Sequence, residues 1–133
     1  MRLALMNAVV LAEDYERMRD WYIDALELTL DGEWTDKYHY AELVRDGRYV
    51  VGIASAKEMG IEPVSKDARK HAAVVPQFNV DDCRAFLARI KEKGGDVPFG
   101  PSFEEDEGFW YGGFADPEGN PAWVVELPKQ LPA

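Results

Sequence analysis

Few side chains in this sequence have the chemistry of a catalyst or a metal ligand. The histidines are His39 and His71, and Cys83 is the single cysteine. No H-x-E, H-x-x-x-H or C-x-x-C spacing is present, nor a G-x-S-x-G elbow, phosphate loop or dinucleotide fingerprint. With two histidines, a metal centre would also need a cluster of carboxylates, and nothing in the sequence places one. Because those motifs are missing, the sequence gives no support for a covalent hydrolase or a nucleotide-binding site.

Cys83 is predicted at the N-terminus of a helix. The helix dipole lowers the pKa of a thiol there, but the adjacent Asp81 and Asp82 oppose that effect. We therefore expect an inert, buried thiol.

The amino-acid composition limits both the kind of protein this is and the kinds of partner it can bind. The 133 residues, 47% of them hydrophobic and 30% charged, suit one compact domain. With 15 basic and 25 acidic residues the net charge is −10, which argues against a nucleic-acid partner. This charge permits a cationic ligand, and the favoured alternative is that it mainly keeps the protein soluble. No apolar run has the length of a membrane span and no signal-peptide pattern is present. We expect a cytoplasmic protein without a membrane partner.

The first half of the chain is predicted to have the order βαβββ. An apolar run over 3–12 predicts a strand buried on both faces, and Asp14 opens a helix from Tyr15 to about Leu28. Three strands follow, over 28–34, 38–45 and 48–55.

The second half repeats that order after a polar linker, 57–70, and a hairpin turn is predicted in each half. The predicted elements are a strand at 71–80, a helix from Asp81-Asp82 through Ile90, and strands at 97–103, 109–115 and 122–127. The helix starts match at an offset of 68 residues, and the turns Asp46-Gly47 and Glu118-Gly119 match at an offset of 72. We predict one domain, 1–133, built from modules 1–56 and 71–133, whose helix-free sheet faces enclose a ligand cleft.

Three stretches carry a resemblance to a known family. They are the helix at 13–26, the junction at 80–82 and the Phe-Ala-Asp-Pro-Glu-Gly-Asn stretch at 114–120. With the repeat, they resemble the vicinal oxygen chelate superfamily, which groups glyoxalase, bleomycin-resistance and extradiol-dioxygenase proteins. The resemblance implies an α+β fold in which two βαβββ modules form a curved mixed sheet around a cleft, with the helices on the outer face.

The resemblance also implies four places for metal ligands. Metal-dependent members bind a divalent ion through His, Glu or Gln from four strands, and those places here hold Asn7, Val51, Val75 and Trp123. Three of these residues are apolar, and a lone Asn is a poor ligand. We therefore expect no metal at the site of the family, and no other cofactor.

Strand parity taken from Asn7 predicts the side chains that face the cleft. The set is apolar and aromatic with a few amides: Leu3, Leu5, Asn7, Val9, Leu11, Tyr49, Val51, Ile53, Ser55, Ala73, Val75, Gln77, Asn79, Pro121, Trp123 and Val125. Further aromatic residues cluster near the predicted rim: Trp34, Tyr38, Tyr40, Phe109, Trp110 and Tyr111. The candidate ligand contacts are Asn7, Trp34, Tyr38, Tyr40, Tyr49, Val51, Val75, Gln77, Trp110 and Trp123. The alternatives are that the amides satisfy strand-edge backbone and that the aromatic residues are core.

These observations leave three functional hypotheses. The first is a metal-free, homodimeric protein that resembles the bleomycin-resistance branch. It holds a small aromatic ligand that is either neutral or cationic. The second is a metal-dependent lyase, isomerase or dioxygenase whose divalent metal is held by displaced residues: His39, His71, Glu42 or Glu126. The third is acid–base catalysis without a metal. The sequence favours binding and leaves turnover open.

Overall fold

The computed structural model describes residues 1–4 and 6–127, which form eight strands and three α-helices. In order these are β1 Val9–Ala12, α1 Tyr15–Ala25, β2 Thr29–Trp34, β3 Tyr40–Arg45, β4 Arg48–Ser55, α2 Lys66–Arg69, β5 Gln77–Val80, α3 Cys83–Glu92, β6 Asp96–Glu104, β7 Phe109–Ala115 and β8 Pro121–Glu126, with a 3₁₀ turn at Lys57–Met59. The chain divides into unit one, Met1–Pro63, and unit two, Val64–Ala133. Each holds a four-stranded mixed sheet, so the predicted α+β class with two βαβββ modules is confirmed.

In unit one the strand order is β1-β4-β3-β2, with β1 parallel to β4 and the other pairs antiparallel. The side chain of Asp14 caps α1 by accepting a hydrogen bond from the backbone N–H of Arg17. Helix α1 buries Met18 on its apolar stripe, and the sheet buries Leu43 and Ile53. These residues form the core of the unit.

Unit two repeats this arrangement in the order β5-β8-β7-β6. Asp82 caps α3 through the backbone N–H of Ala85. The ring of Phe86 on this helix lies 5.7 Å from that of the buried Phe114. A Cβ on Gly112 would lie 2.5 Å from Cδ1 of Leu87, so a glycine allows the helix to approach the sheet closely here.

The first strand of each unit is shorter than predicted. The ladders begin where Gly52 N–H donates to the carbonyl of Ala8 and Trp123 N–H donates to that of Pro76. Leu3 and Met6, which precede β1, are exposed, so the prediction of a strand over 3–12 buried on both faces is wrong. Leu5, within that stretch, lies outside the described residues, as do 128–133 of the predicted second module.

The predicted linker contains the boundary between the units, the 3₁₀ turn and α2. Arg69 at the end of α2 donates to the carbonyl of Glu118 at 3.0 Å and to Oδ1 of Asn120 at 3.2 Å. These bonds attach α2 to the turn between β7 and β8. Within the part of the chain described here, no helix is long and apolar enough to cross a membrane.

Candidate functional site

One face of the unit-one sheet packs against α1, and hydrogen bonds from α1 identify that face. Glu33 accepts from the Tyr15 hydroxyl at 2.7 Å and from Nη1 of Arg19 at 2.6 Å, and both donors belong to α1. Cα partners on neighbouring strands point to the same face, and Glu33 pairs with Ala41, which pairs with Ile53. The other face, which we call open face one, carries Val9, Leu11, Trp34, Tyr40, Glu42, Tyr49 and Gly52.

The predicted parity of β4 is wrong beyond Tyr49. Val51 pairs with Leu43, and Val51 and Ile53 are buried on the α1 side. Ser55, which has the same parity, is buried opposite Ala12. The cause is a β-bulge, because the register between β3 and β4 shifts between Leu43 and Val44. One extra residue reverses every side chain that follows it.

The bulge also changes which residues of the two units are equivalent. Gly52 N–H and Trp123 N–H make the same first bond of their ladders, so Gly52, and not Val51, matches Trp123. The turn-based offset of 72 residues therefore does not hold along β4.

Above Gly52 the hydroxyls of Tyr40 and Tyr49 lie 2.7 Å apart. A Cβ at Gly52 would lie 2.5 Å from Oη of Tyr49 and 2.8 Å from Oη of Tyr40, so only glycine leaves room for the pair. The Trp34 ring lies 5.6 Å from that of Tyr40, and Glu42 pairs with Gly52 on the same face. Burial, then the hydrogen bond with Tyr40, raises the pKa of the Tyr49 hydroxyl, and the charge of Glu42 adds to this.

Open face two is the face of the unit-two sheet opposite α3. It carries Gln77, Asn79, Phe99, Tyr111, Gly113, Trp123 and Val125. Gln77 pairs with Trp123 and Asn79 with Val125, so the predicted parity of β5 and β8 agrees with the register. The amide of Gln77 donates to Oδ1 of Asn79 at 3.0 Å, and Trp123 beside them is 51% exposed. Phe99 lies across Gly113, where a Cβ would be 2.3 Å from its ring.

Trp110 lies on the α3 side, away from Trp123. The guanidinium of Arg84, on α3, sits 4.5 Å from the centre of its ring, and Phe103 packs edge-on at 5.3 Å. Trp110, predicted near the rim of the cleft, therefore lies on the face opposite to Trp123, and its contact with a ligand stays a prediction. Alternation along β7 places Trp110 on the side of Gly112, which faces Leu87.

Three other candidate contacts lie outside the strands. Asn7 is exposed before β1, Val75 is half-buried before β5, and Tyr38 is exposed between β2 and β3. Their contact with a ligand stays a prediction.

Besides the tyrosine pair on open face one, unit one has a polar cluster on its α1 side. Glu58 accepts from the backbone N–H of His39 at 2.6 Å and lies 2.5 Å from Nδ1 of that ring. A shallow depression of about 420 Å³ is lined by Glu13, Asp14, Tyr15, Glu16, His39, Ser55 and Glu58. The bond with His39 lowers the pKa of the Glu58 carboxyl. Sequence reasoning missed Glu33 and Glu58 because their partners are distant along the chain.

The side chains present do not fit the divalent metal of the resembling family. With the corrected register, the four ligand places hold Asn7, Gly52, Val75 and Trp123, which include no imidazole or carboxylate. Of the displaced candidates, His39 faces Tyr15 while Glu42 lies on the opposite face, and Glu126 accepts from the backbone N–H of Cys83. His71 is exposed between α2 and β5. Over residues 1–4 and 6–127, no three His, Cys, Asp or Glu side chains are placed to share an ion.

Comparison with known proteins shows a family and a fold. The family model of the Glyoxalase/Bleomycin resistance protein/Dioxygenase superfamily matches residues 5–124. No curated protein matches the sequence.

Three solved structures illustrate the likeness. A superfamily member from Sphaerobacter thermophilus DSM 20745 is 20% identical with a TM-score of 0.71, covering 94% of this chain and 98% of that one. The antibiotic-binding protein TnmS3 from Streptomyces sp. CB03234 is 17% identical with a TM-score of 0.68, over 96% and 100%. A glyoxalase-related enzyme from Fulvimarina pelagi is 14% identical with a TM-score of 0.69, over 95% and 90%. At these identities the likeness concerns the fold alone.

Proposed function

Because this chain belongs to the glyoxalase/bleomycin resistance protein/dioxygenase superfamily, we propose that it binds a small aromatic molecule, neutral or cationic, without a metal. Each open face is a candidate binding surface by itself, with Trp34, Tyr40 and Tyr49 in unit one and Gln77 and Trp123 in unit two. The superfamily includes enzymes as well as binding proteins. The choice between them rests on the residues of this chain.

One observation carries the proposal: large aromatic side chains stand exposed on sheet faces, next to directed polar groups. Trp34 is 45% exposed and Trp123 is 51% exposed. Binding sites for small molecules combine apolar, aromatic walls with a few polar groups that fix orientation. The Tyr40–Tyr49 hydroxyls and the Gln77–Asn79 amides supply such groups.

The metal-free part of the proposal is supported by donor chemistry. Gly52 and Trp123 occupy places where metal-dependent members carry a donor side chain, and neither can coordinate an ion through its side chain. The cationic preference is supported by the net charge of −10 and by Glu42 on open face one.

The first test is calorimetric titration with two ligands of the same ring and opposite charge, trimethyl(2-naphthyl)ammonium and naphthalene-2-sulfonate. We expect the cation to bind more tightly. Trp34→Ala should weaken binding to open face one, and Trp123→Ala binding to open face two, each about tenfold, as loss of an aromatic contact worth ~1.4 kcal/mol would. Trp110→Ala is the matched control, because it removes the same side chain from the helix side.

Three results would count against this. Preference for the sulfonate would overturn the cationic part, and equal losses in all three tryptophan variants would overturn the assignment to the open faces. The third result concerns the metal content of untagged protein, purified without chelators and incubated with zinc, nickel, iron and manganese. We expect less than about a tenth of an equivalent of metal per chain, and close to one equivalent per chain would overturn the metal-free proposal.

We also propose that the protein is a homodimer, as is common in the resembling superfamily. Light scattering should give about twice the mass of one 15.0 kDa chain. A mass of one chain at micromolar concentration would contradict this.

A further inference from the structure

The Tyr40–Tyr49 pair holds a hydrogen that its own bond does not use. Each hydroxyl has one hydrogen and can also accept. At an Oη–Oη distance of 2.7 Å one tyrosine donates to the other, so the acceptor's hydrogen remains. In the described part of the chain, neither hydroxyl has a further hydrogen-bond partner.

The surroundings fix this donor on open face one. Gly52 beneath the pair leaves room for both oxygens, and Trp34 packs at 5.6 Å from Tyr40. Both tyrosine side chains are half-buried and belong to adjacent strands, β3 and β4. A donor held by rigid strands loses less conformational entropy on binding than one on a mobile side chain.

The charge next to the pair limits the ligand further. Glu42 lies on the same face, opposite Gly52, and its carboxylate only accepts hydrogen bonds. A ligand that satisfies both groups offers an acceptor oxygen to the tyrosines and a positive charge or a donor towards Glu42.

We infer that the Tyr40–Tyr49 pair anchors a carbonyl oxygen of the ligand, so that this site selects planar aromatic ketones carrying a cationic or hydrogen-bond-donating group. This inference rests on the proposed function and names its ligand class. Trp34 supplies the stacking surface and Glu42 the counter-charge. The counterpart on open face two is a pair of amides, which carries no charge.

The test compares two cations that differ only at one position of the ring system, 2-(trimethylammonio)fluorenone, with a carbonyl, and 2-(trimethylammonio)fluorene, with a methylene. Calorimetric titration of the wild-type protein should give about tenfold tighter binding of the ketone, close to the value of one well-placed hydrogen bond. The double variant Tyr40→Phe/Tyr49→Phe should bind both cations alike. Tyr111→Phe, which removes a hydroxyl from open face two, is the matched control and should keep the preference.

Glu42→Gln separates the charge from the donor. It should weaken both cations several-fold and leave the preference for the ketone unchanged. Circular dichroism of each variant shows whether its fold is retained, and Phe at both positions removes only hydroxyl groups.

The outcomes separate this inference from the proposed function. If wild-type protein binds both cations equally, or the double variant keeps the preference, the carbonyl anchor is wrong while aromatic binding stands. If neither cation binds at millimolar concentration, the proposed function fails for this class and the anchor fails with it. If Glu42→Gln changes neither affinity, the counter-charge role is wrong.

Discussion

The two units have the same order of elements but differ in their turns and in their open faces. Unit one joins β3 to β4 through Asp46 and Gly47, both with positive φ, and presents two hydroxyls with a carboxylate. Unit two joins β7 to β8 through a longer turn around the buried Asp116, and presents neutral amides beside Trp123. A duplicated backbone therefore offers two chemically distinct surfaces. The substitutions below test how far that difference extends, from the largest expected effect to the smallest.

The turn of unit two should depend on its aspartate far more than the turn of unit one. Asp116 is fully buried and accepts from the backbone N–H groups of Glu118 and Asn120, at 3.0 and 2.9 Å, and from the Asn120 amide at 2.8 Å. Asp116→Ala leaves these donors without their acceptor and should lower the free energy of unfolding by about 3 kcal/mol. Urea unfolding measures the change.

The control is Asp46→Gly, at an exposed position with φ of 51°. Because glycine adopts positive φ freely, this change should stay within about 0.5 kcal/mol. Similar losses for the two variants would remove the contrast between the turns.

Gly52 on open face one and Gly113 on open face two lie beneath aromatic side chains, and the two should tolerate alanine differently. At Gly52 the new Cβ would separate two hydrogen-bonded, half-buried tyrosines, for a loss of about 2 kcal/mol. At Gly113 it would meet Phe99, which is 42% exposed and can turn outward, for a loss of about 1 kcal/mol. Thermal unfolding of the two variants ranks them, and a reversed order would mean that Phe99 is the more firmly held.

Alkaline pH should destabilise unit one through the buried Tyr15 and the half-buried Tyr49. Burial is the main cause that raises the folded-state pKa of both Tyr15 and Tyr49; bonds to Glu33 and Tyr40, respectively, add to it. A raised pKa means that folding favours the neutral hydroxyl, so this stability is present below pH ~10 and is lost as the pH rises further. The melting temperature should fall above pH ~10, and less steeply in Tyr15→Phe/Tyr49→Phe. An unchanged slope in that variant would show that other groups cause the loss.

The smallest effect is expected for the carboxylate that joins α1 to β2. Bonds from Arg19 and then Tyr15 lower the pKa of Glu33, so its contribution is present above the unfolded-state pKa and lost as the pH falls through the folded one. The ion pair is partly solvent-exposed, so Glu33→Gln should cost only about 0.5 kcal/mol at neutral pH. Urea unfolding at pH 7 and at pH 3 should show that the difference between wild type and variant shrinks at the lower pH. A difference that does not shrink as the pH falls would show that the charge of Glu33 is not its cause.

The sequence by itself determined the order of the elements, because the signals for them are local. Asp14 and Asp82 precede apolar stripes of helical period, and both cap their helices in the structure. Asp46-Gly47 marks a hairpin because it forms a turn that needs positive φ. Asp14, Asp82 and the stretch at 114–120 also carried, with the repeat, the family resemblance that the match over 5–124 confirms.

Only the tertiary structure decided which way Val51 and Trp110 face and which hydroxyls meet on open face one. The bulge that turns Val51 into the core depends on how β3 pairs with β4, and no local signal at Val50 predicts it. Trp110 faces α3 because alternation along β7 and the contact with Arg84 place it there. The Tyr40–Tyr49 pair exists because two strands bring these hydroxyls together above a glycine. The residue types could be read from the chain, but the contacts between strands, which are distant in sequence, set the side of the sheet on which each one acts.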